Sequence, residues 1–345
     1  MITVEKHGIL LSATDHSFEN NAVFNPGVYQ DGDQVHLLYR AVEHGNFSTI
    51  GYAKSHGPCK IVSRSEKPLI SRDHEYEKHG VEDARIVKID DTFYLTYTAY
   101  DGINALGALA TSKDLIHFEK VGIITPQINY EQYEKLMLEG NNAKLNPKYH
   151  HFYNLFAQIG LVADESRLLR DKDIVLFPRK INGKFAMLHR IWPGIQIVFF
   201  NDWSDLTMLF WENYFLDFSK HIVLDPKGKF EINYIGGGCP PIETPDGWLL
   251  IYHGVEEQLQ GRTYHAMAAL LHLDHPEIEL SRLSYPLFSP TKSWEIEGIV
   301  NDVVFPTGTA CFGDDLYIYY GAADHHVGVA KVQLSELLQE LKKQP

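Results

Sequence analysis

Glu82, Asp83 and Arg85 stand together in HGVEDARIV (residues 79–87), at the head of the strand-like run IVKIDDTFYLTYTAY. Charges at the mouth of an apolar strand are costly to bury unless they are paired. Glu82 and Asp83 supply carboxylates, one of which serves as a general acid where burial raises its pKa. Far away in the chain, Lys172, Arg190, His253 and Tyr264 stand in comparable strand contexts and supply hydrogen-bond donors. A cluster of donors without matching carboxylates is an anion site. An acid on one side and an anion site on the other can protonate a leaving group while an anionic nucleophile attacks from the opposite face. Asn25, Arg40, Asp173 and Asp324 complete the polar set. For any one of these residues the plain alternative is a surface charge or a structural ion pair, which also perturbs pKa values without catalysis.

What brings them together is an internal repeat. A turn signal followed by an alternating apolar run that reaches Tyr or His occurs as DGDQVHLLYRA (31–41), DDTFYLTYTA (90–99), NGKFAMLHR (182–190), DGWLLIYHG (246–254) and DDLYIYYGA (314–322). Asp-Gly, Asn-Gly and Asp-Asp tolerate the positive φ of hairpin turns. Each copy has a strand-like lead-in (FNPGVYQ, EDARIVKI, DIVLFPRKI, GGCPPIET, DVVFPTGTACF) and is followed by a further apolar segment. Five such units of about four strands predict an all-β fold, a five-bladed β-propeller. A two-sheet sandwich with coincidental turns is the competing architecture. In a propeller the innermost strands line a central cavity, so polar residues of the lead-ins and strand ends converge there.

The spacing is uneven, with the excess in residues 125–170. There Asn129 caps a predicted helix that carries Tyr130, Tyr133 and Met137 on one face and stops at Gly140. The segment reads as an insertion within a single domain spanning 1–345. Its length and place predict a role at the acceptor side of the cavity or against a neighbouring subunit, with Tyr130, Tyr133, Tyr149 and Phe152 in contact. The tail LSELLQELKKQP predicts a C-terminal helix with Ser335 as N-cap and Lys342 and Lys343 in the last turn.

The 345 residues carry 31 Lys and Arg against 45 Asp and Glu, a formal charge of −14. Such an acidic chain is a poor binder of nucleic-acid backbone and has no polybasic run for a membrane surface. Cys59, Cys239 and Cys311 are scattered and form no CxxC pattern, which argues against a disulfide framework or a zinc cluster. The stretch MITVEKHGILL is too short in apolar residues for a signal peptide, and no window is long enough to span a membrane. The expectation is a cytoplasmic protein. The adjacent pairs His150-His151 and His325-His326 diverge on a strand, and no HExxH occurs, so no metal is expected. GGGCPP (236–241) is not a nucleotide-binding loop. Of the five tryptophans, one is expected to face substrate and the rest to fill the core.

With these residues in view the chain resembles glycoside hydrolase family 130, the β-mannoside phosphorylases and β-mannosidases. The carriers are FNPG (24–27), VEDARI (81–86), KDIVLFPRKINGKFAMLHR (172–190), YHG (252–254), VVFPTG (303–308) and YYGAAD (319–324). The resemblance implies a five-bladed propeller and an inverting mechanism on β-linked mannose. It implies that Asp83 is the catalytic acid, relaying its proton through the sugar's 3-hydroxyl to the glycosidic oxygen. It implies that Lys172, Arg190, His253 and Tyr264 hold phosphate, with Lys172 where the family more often has Arg. It implies that Asn25, Arg40, Arg85 and Asp324 surround the mannose. Arg85 would then fix the sugar or hold Glu82 ionised.

Three functions follow as expectations. The first is a phosphorylase that needs no cofactor. It uses inorganic phosphate as co-substrate on a β-manno-oligosaccharide, mannosyl-GlcNAc or mannosyl-glucose, and gives α-mannose 1-phosphate. The second is an inverting β-mannosidase, for example on β-1,2-mannosides. It needs a carboxylate base about 6.5–9.5 Å from the acid, for which Glu139, Glu165, Glu212 and Glu256 are available. The third is a non-catalytic sugar-binding propeller. A homo-oligomer is compatible with each.

Overall fold

Each of the repeat's turn signals falls between an inner and a central strand. Asp90, Asn182 and Gly183 take the positive φ values of 53°, 50° and 80° that tight hairpins demand. The computed structural model describes residues 2–160, 162, 164–258 and 261–344. After β1 (Glu5–Leu11), the first unit comprises β2 (Ala22–Asp31), β3 (Gln34–Glu43), β4 (Phe47–His56) and β5 (Lys60–Arg64). The second comprises β6 (Gly80–Ile89), β7 (Thr92–Tyr100), β8 (Ala105–Ser112) and β9 (Phe118–Ile123). The third has β10 (Lys172–Leu176), β11 (Phe185–Arg190), β12 (Ile195–Phe200) and β13 (Ile222–Leu224). In the fourth the inner strand is split into β14 (Tyr234–Gly237) and β15 (Ile242–Thr244), both paired with β16 (Gly247–Gln258) and followed by β17 (Gly261–Leu271) and β18 (Glu279–Arg282). The fifth is β19 (Val304–Phe312), β20 (Asp315–Ala322) and β21 (His326–Gln333), with β1 as its outermost strand. Neighbouring strands within each unit are antiparallel. The first two units share one eight-stranded sheet through a parallel pair, Ser48–Gly80.

The central strands read as near-continuous apolar runs because both of their faces are covered. On β16, Trp248, Leu250 and Tyr252 pack toward the third unit while Leu249 and Ile251 pack toward the fifth. On β3, Leu37 and Tyr39 meet the fifth unit and Leu38 meets the second. Further apolar layers join the second unit to the third and the third to the fourth. Each large side chain buried this way contributes about 1.5–3 kcal/mol. Among the described residues no helix is long and apolar enough to cross a membrane.

A buried carboxylate just before each inner strand clasps its own central strand. Glu19 accepts from the Tyr39 hydroxyl at 2.6 Å and from Arg64 of β5 at 2.9 Å. Glu77 binds Tyr97 and Lys120 of β9. Glu231 binds Tyr252 and Arg282 of β18. Glu295 accepts from Tyr320 at 2.7 Å and from Lys6 of β1 at 2.6 Å. The third unit departs from this pattern: His189 takes the tyrosine's place, Asp171 the glutamate's, and among the described residues no Lys or Arg side chain joins them. Side chains alternate along a strand, so the residue after each clasp points to the other face. In three units that residue is Arg40, Arg190 or His253.

The insertion forms α1 (Tyr130–Glu139) and α2 (Lys148–Gln158). The Asn129 side chain accepts from the Gln132 amide, and Tyr130, Tyr133 and Met137 are buried, as the sequence predicts. The expected contact of its aromatic residues with a second subunit is corrected. Tyr130, Tyr133, Tyr149 and Phe152 are all at most 6% exposed, so they pack within the protein's own core and present no exposed face to a second subunit. With Arg170 and Trp192, which also line the cavity described below, they surround a small apolar pocket. They pack with α3 (Met208–Leu216), a helix the repeat did not announce, capped by Thr207. After the short α4 (Ser293–Ile296), the chain ends in α5 (Leu334–Leu341), which starts before Ser335. Asp314 does the capping there: its carboxylate accepts from the Ser335 amide at 2.9 Å and from the Ser335 hydroxyl at 2.6 Å.

Candidate active site

Three inner strands carry the same irregularity. The ladder slips between Phe24 and Gly27, between Glu82 and Arg85, and between Lys172 and Val175. Inside the slips, Asn25, Asp83 and Asp173 adopt φ of 47°, 53° and 56°. Asn and Asp tolerate this left-handed conformation better than most side chains, and a bulge re-aims its residue out of the ladder. All three side chains line one cavity of about 250 Å³. Asp324, at φ 50° in the turn between β20 and β21, joins them.

On one side of the cavity, Asn25 Nδ2 donates to Asp83 Oδ1 at 2.8 Å. Arg40 Nη2 pairs with Glu82 at 2.7 Å, and its Nη1 lies 3.6 Å from Asp83. Lys172 Nζ reaches Glu82 at 3.6 Å. Burial pushes the Asp83 pKa up, but Arg40, Lys172 and Arg85, with the Asn25 bond, outweigh it and hold the carboxyl below its usual range. Asp324 goes the other way. Burial, with Asp83 and Glu82 adding to it against Arg40 and Lys172, pushes its carboxyl up to about 6.

That shift has a sign in stability. A folded-state pKa of about 6, above the unfolded value of about 3.9, gives a contribution that is complete below about pH 4 and is lost as pH rises through about 6. Asp324→Asn cannot ionise, so its thermal midpoint relative to the parent should rise between pH 4 and pH 7. A constant difference across that range would refute the assignment of the proton to Asp324.

The opposite side is cationic and aromatic. Arg190 Nη1 lies 2.8 Å from Asp173 Oδ2, and His253 Nε2 lies 3.8 Å from the same oxygen. The Tyr264 and Tyr234 hydroxyls are hydrogen-bonded, and Tyr234 stacks on Trp192 at 4.4 Å between centroids. The Arg190 guanidinium sits 5.2 Å from the Tyr234 ring centroid. Burial, then Arg190 and Arg85, drive the His253 pKa well down, so its imidazole is neutral. Burial raises the Asp173 carboxyl against the pull of Arg190, Arg85 and Lys172.

Of the residues singled out in the sequence, Asn25, Arg40, Asp83, Lys172, Arg190, Tyr264 and Asp324 line the cavity. His253 and Arg85 are 0% and 1% exposed and stand behind its wall. Arg85 does not hold Glu82: it donates to the main-chain oxygens of Gly238, Asp83 and Ala84. The cation cluster also has a matching carboxylate, Asp173, which the sequence reading included without a role. Its signal was available, since Asp173 stands in the KDIV lead-in much as Asp83 stands in EDAR. Trp192, Tyr234 and Phe305, also in the wall, were not anticipated by position. None of Glu139, Glu165, Glu212 and Glu256 lines the cavity, and Glu256 is bound to His265 and Lys229.

Residues 10–343 match the profile of glycoside hydrolase family 130, described as beta-1,4-mannooligosaccharide phosphorylase. The chain belongs to this family. It is 33% identical over 341 residues to a 1,2-beta-oligomannan phosphorylase of Thermoanaerobacter sp. (strain X514), covering 95% of this chain and 96% of that protein. A beta-1,2-mannobiose phosphorylase of the same organism is 33% identical over 339 residues, 94% of each. Among solved structures, the family 130 chain resembles the beta-1,2-mannobiose phosphorylase from Listeria innocua in complex with beta-1,2-mannobiose. The TM-score is 0.73 at 24% identity, over 99% of this chain and 100% of that one. That structural likeness supports the fold.

Proposed function

We propose that the chain is an inverting phosphorylase that transfers a terminal β-linked mannosyl unit to inorganic phosphate and releases α-mannose 1-phosphate. The observation that carries this reading is the division of one cavity. Asp83, Asp324, Asn25 and Arg40 line one side and Arg190 and Tyr264 the other, with Lys172 reaching Glu82 on the first side at 3.6 Å and so standing next to Asp83. The near full-length similarity to proteins named as β-mannoside phosphorylases supports it. Those names carry a 1,2 linkage, so we assign β-1,2-mannosides as the substrate class.

The five units are read as the blades of one five-bladed propeller, a single catalytic domain with the cavity on its axis. Apolar layers shared between successive units, the fifth and first included, support this arrangement. So does a cavity lined from all five units.

In the reaction the mannose lies between the two sides. Phosphate, held by Lys172, Arg190 and Tyr264 with His253 behind them, forms a bond from one oxygen to the anomeric carbon. The bond from that carbon to the glycosidic oxygen breaks. The leaving oxygen takes a proton that originates on Asp83 and passes through the sugar's 3-hydroxyl. Asp83 is held ionised by neighbouring cations in the unliganded site. Phosphate bound against Lys172 offsets one of those cations and raises the carboxyl toward protonation.

The deciding measurement is β-1,2-mannobiose with and without phosphate, reading mannose 1-phosphate against free mannose. Mannose 1-phosphate is expected to form with phosphate, and turnover to stop without it. Full mannose release in phosphate-free buffer would establish the hydrolase instead.

A further inference from the structure

Arg190 is the last residue of β11, and beyond it the ladder offers no support. Two chains of buried side chains take over. The first runs through Gln196: its Oε1 accepts from the Ile191 amide at 2.7 Å, and its Nε2 donates to the Ile191 carbonyl at 3.0 Å. The same Nε2 donates at 2.8 Å to the hydroxyl of Tyr149, on α2 of the insertion. The second runs through Asp171, whose Oδ1 accepts from the Arg190 amide at 3.2 Å and whose Oδ2 meets His189 Nδ1 at 2.8 Å. His189 Nε2 meets the Tyr214 hydroxyl of α3 at 2.7 Å. Gln196, Asp171 and His189 are 0% exposed.

The second chain is the third unit's version of the clasp. In the other four units the carboxylate is closed by a Lys or Arg from the outermost strand. Here the carboxylate meets only His189 and the Arg190 amide, and it is His189 that reaches a tyrosine from a helix; that helix packs on the insertion, with the Tyr133 and Phe215 rings 5.4 Å apart. The departure occurs in the unit whose next residue is Arg190, the arginine beside Asp173 and Tyr234, whereas the first unit keeps the ordinary clasp before Arg40. A guanidinium that forks onto an anion needs tight placement, and small displacements in such sites cost much.

We infer that Tyr149–Gln196 and Tyr214–His189–Asp171 are positioning relays for Arg190, through which the insertion and α3 set how well the cavity holds phosphate. The inference rests on the reading of Arg190 as a phosphate ligand. It assigns the insertion to the phosphate side of the reaction.

The test uses Tyr149→Phe and Tyr214→Phe, each of which removes one hydroxyl, in the full chain. Steady-state rates are measured with β-1,2-mannobiose and inorganic phosphate varied separately. The KM for phosphate is expected to rise about 3- to 10-fold in each variant, the scale of one lost buried hydrogen bond. The KM for mannobiose and kcat at saturating phosphate should stay within about twofold, because the relays bear on Arg190. Tyr97→Phe removes the matching hydroxyl of the second unit's clasp, where Thr98 follows, and should leave the phosphate KM unchanged. Arg190→Lys tests the underlying reading. If it leaves the phosphate KM unaltered, the anion site and this inference both fall. If Arg190→Lys raises it while Tyr149→Phe and Tyr214→Phe do not, or while they raise both KM values alike, only the relays fall. A Tyr97→Phe variant that behaves like them would mean general loosening and would overturn the inference. Should one of the two relay variants not fold, the other decides.

Discussion

Asp83→Asn is expected to lower kcat on a β-mannobiose by about 10²–10⁴-fold, the usual contribution of a general acid. The substitution is chosen because the backbone should tolerate it. Asp83 sits at φ 53°, and Asn is among the few side chains that accept that conformation. The Asn25 amide, which donates to Asp83 Oδ1 at 2.8 Å, can still donate to an amide oxygen. What disappears is the transferable proton and the charge that Arg40 faces at 3.6 Å. The bulge and the fold should therefore survive while turnover does not, with a thermal midpoint somewhat lowered at neutral pH, because the carboxylate that Arg40, Lys172 and Arg85 hold ionised no longer contributes. Near-normal turnover by a folded Asp83→Asn protein would remove Asp83 from the role of acid and leave Asp324, the other carboxyl that lines the cavity on that side, as the candidate.

The sequence made the five hairpins legible because both of their signals are local. A turn dipeptide and an alternating run need no knowledge of distant residues. The five central strands, the Asn129 cap and the inward face of α1 follow from such signals. The clasps were half visible: the repeat's closing Tyr or His was apparent, but its partner was not. Lys6 and Glu295 are 289 residues apart, and nothing in either neighbourhood announces the other. The sequence leaves Arg85 either to fix the sugar or to hold Glu82, the second reading resting on adjacency. On a bulged strand adjacency misleads, because the slip turns Asp83 into the cavity and sends Arg85 toward the fourth unit's Gly238.

The insertion illustrates a different limit. An amphipathic face with Tyr130 and Tyr133 says that something covers it, and periodicity does not say what. The cover turns out to be α3 and the third unit's own strands. With the relays inferred above, that adds the placement of Arg190 to the expected consequences of altering the segment.

Arg190→Ala should raise the KM for phosphate by at least about 10- to 100-fold, because each lost charge-assisted bond costs about 1.5–3 kcal/mol and 1.4 kcal/mol is tenfold. The KM for mannobiose should move far less, since the sugar-side contacts of Arg40 and Asn25 are untouched. The same change has a second, pH-dependent signature. Arg190 is the cation 2.8 Å from the buried Asp173 carboxyl, whose pKa burial already raises. Without the guanidinium that pKa climbs further above its unfolded value. The variant's stability is then nearest the parent's below the unfolded carboxyl pKa of about 3.9 and falls behind as pH rises through the folded value. The thermal midpoint of Arg190→Ala should accordingly lag the parent's more at pH 8 than at pH 5. Arg190→Ala combined with Asp173→Asn should recover the stability at pH 8 but leave phosphate binding weak, because the anion has still lost its fork. If the double variant binds phosphate as the parent does, Arg190 serves only to neutralise Asp173, and the cationic side of the cavity must be built from Lys172 and Tyr264.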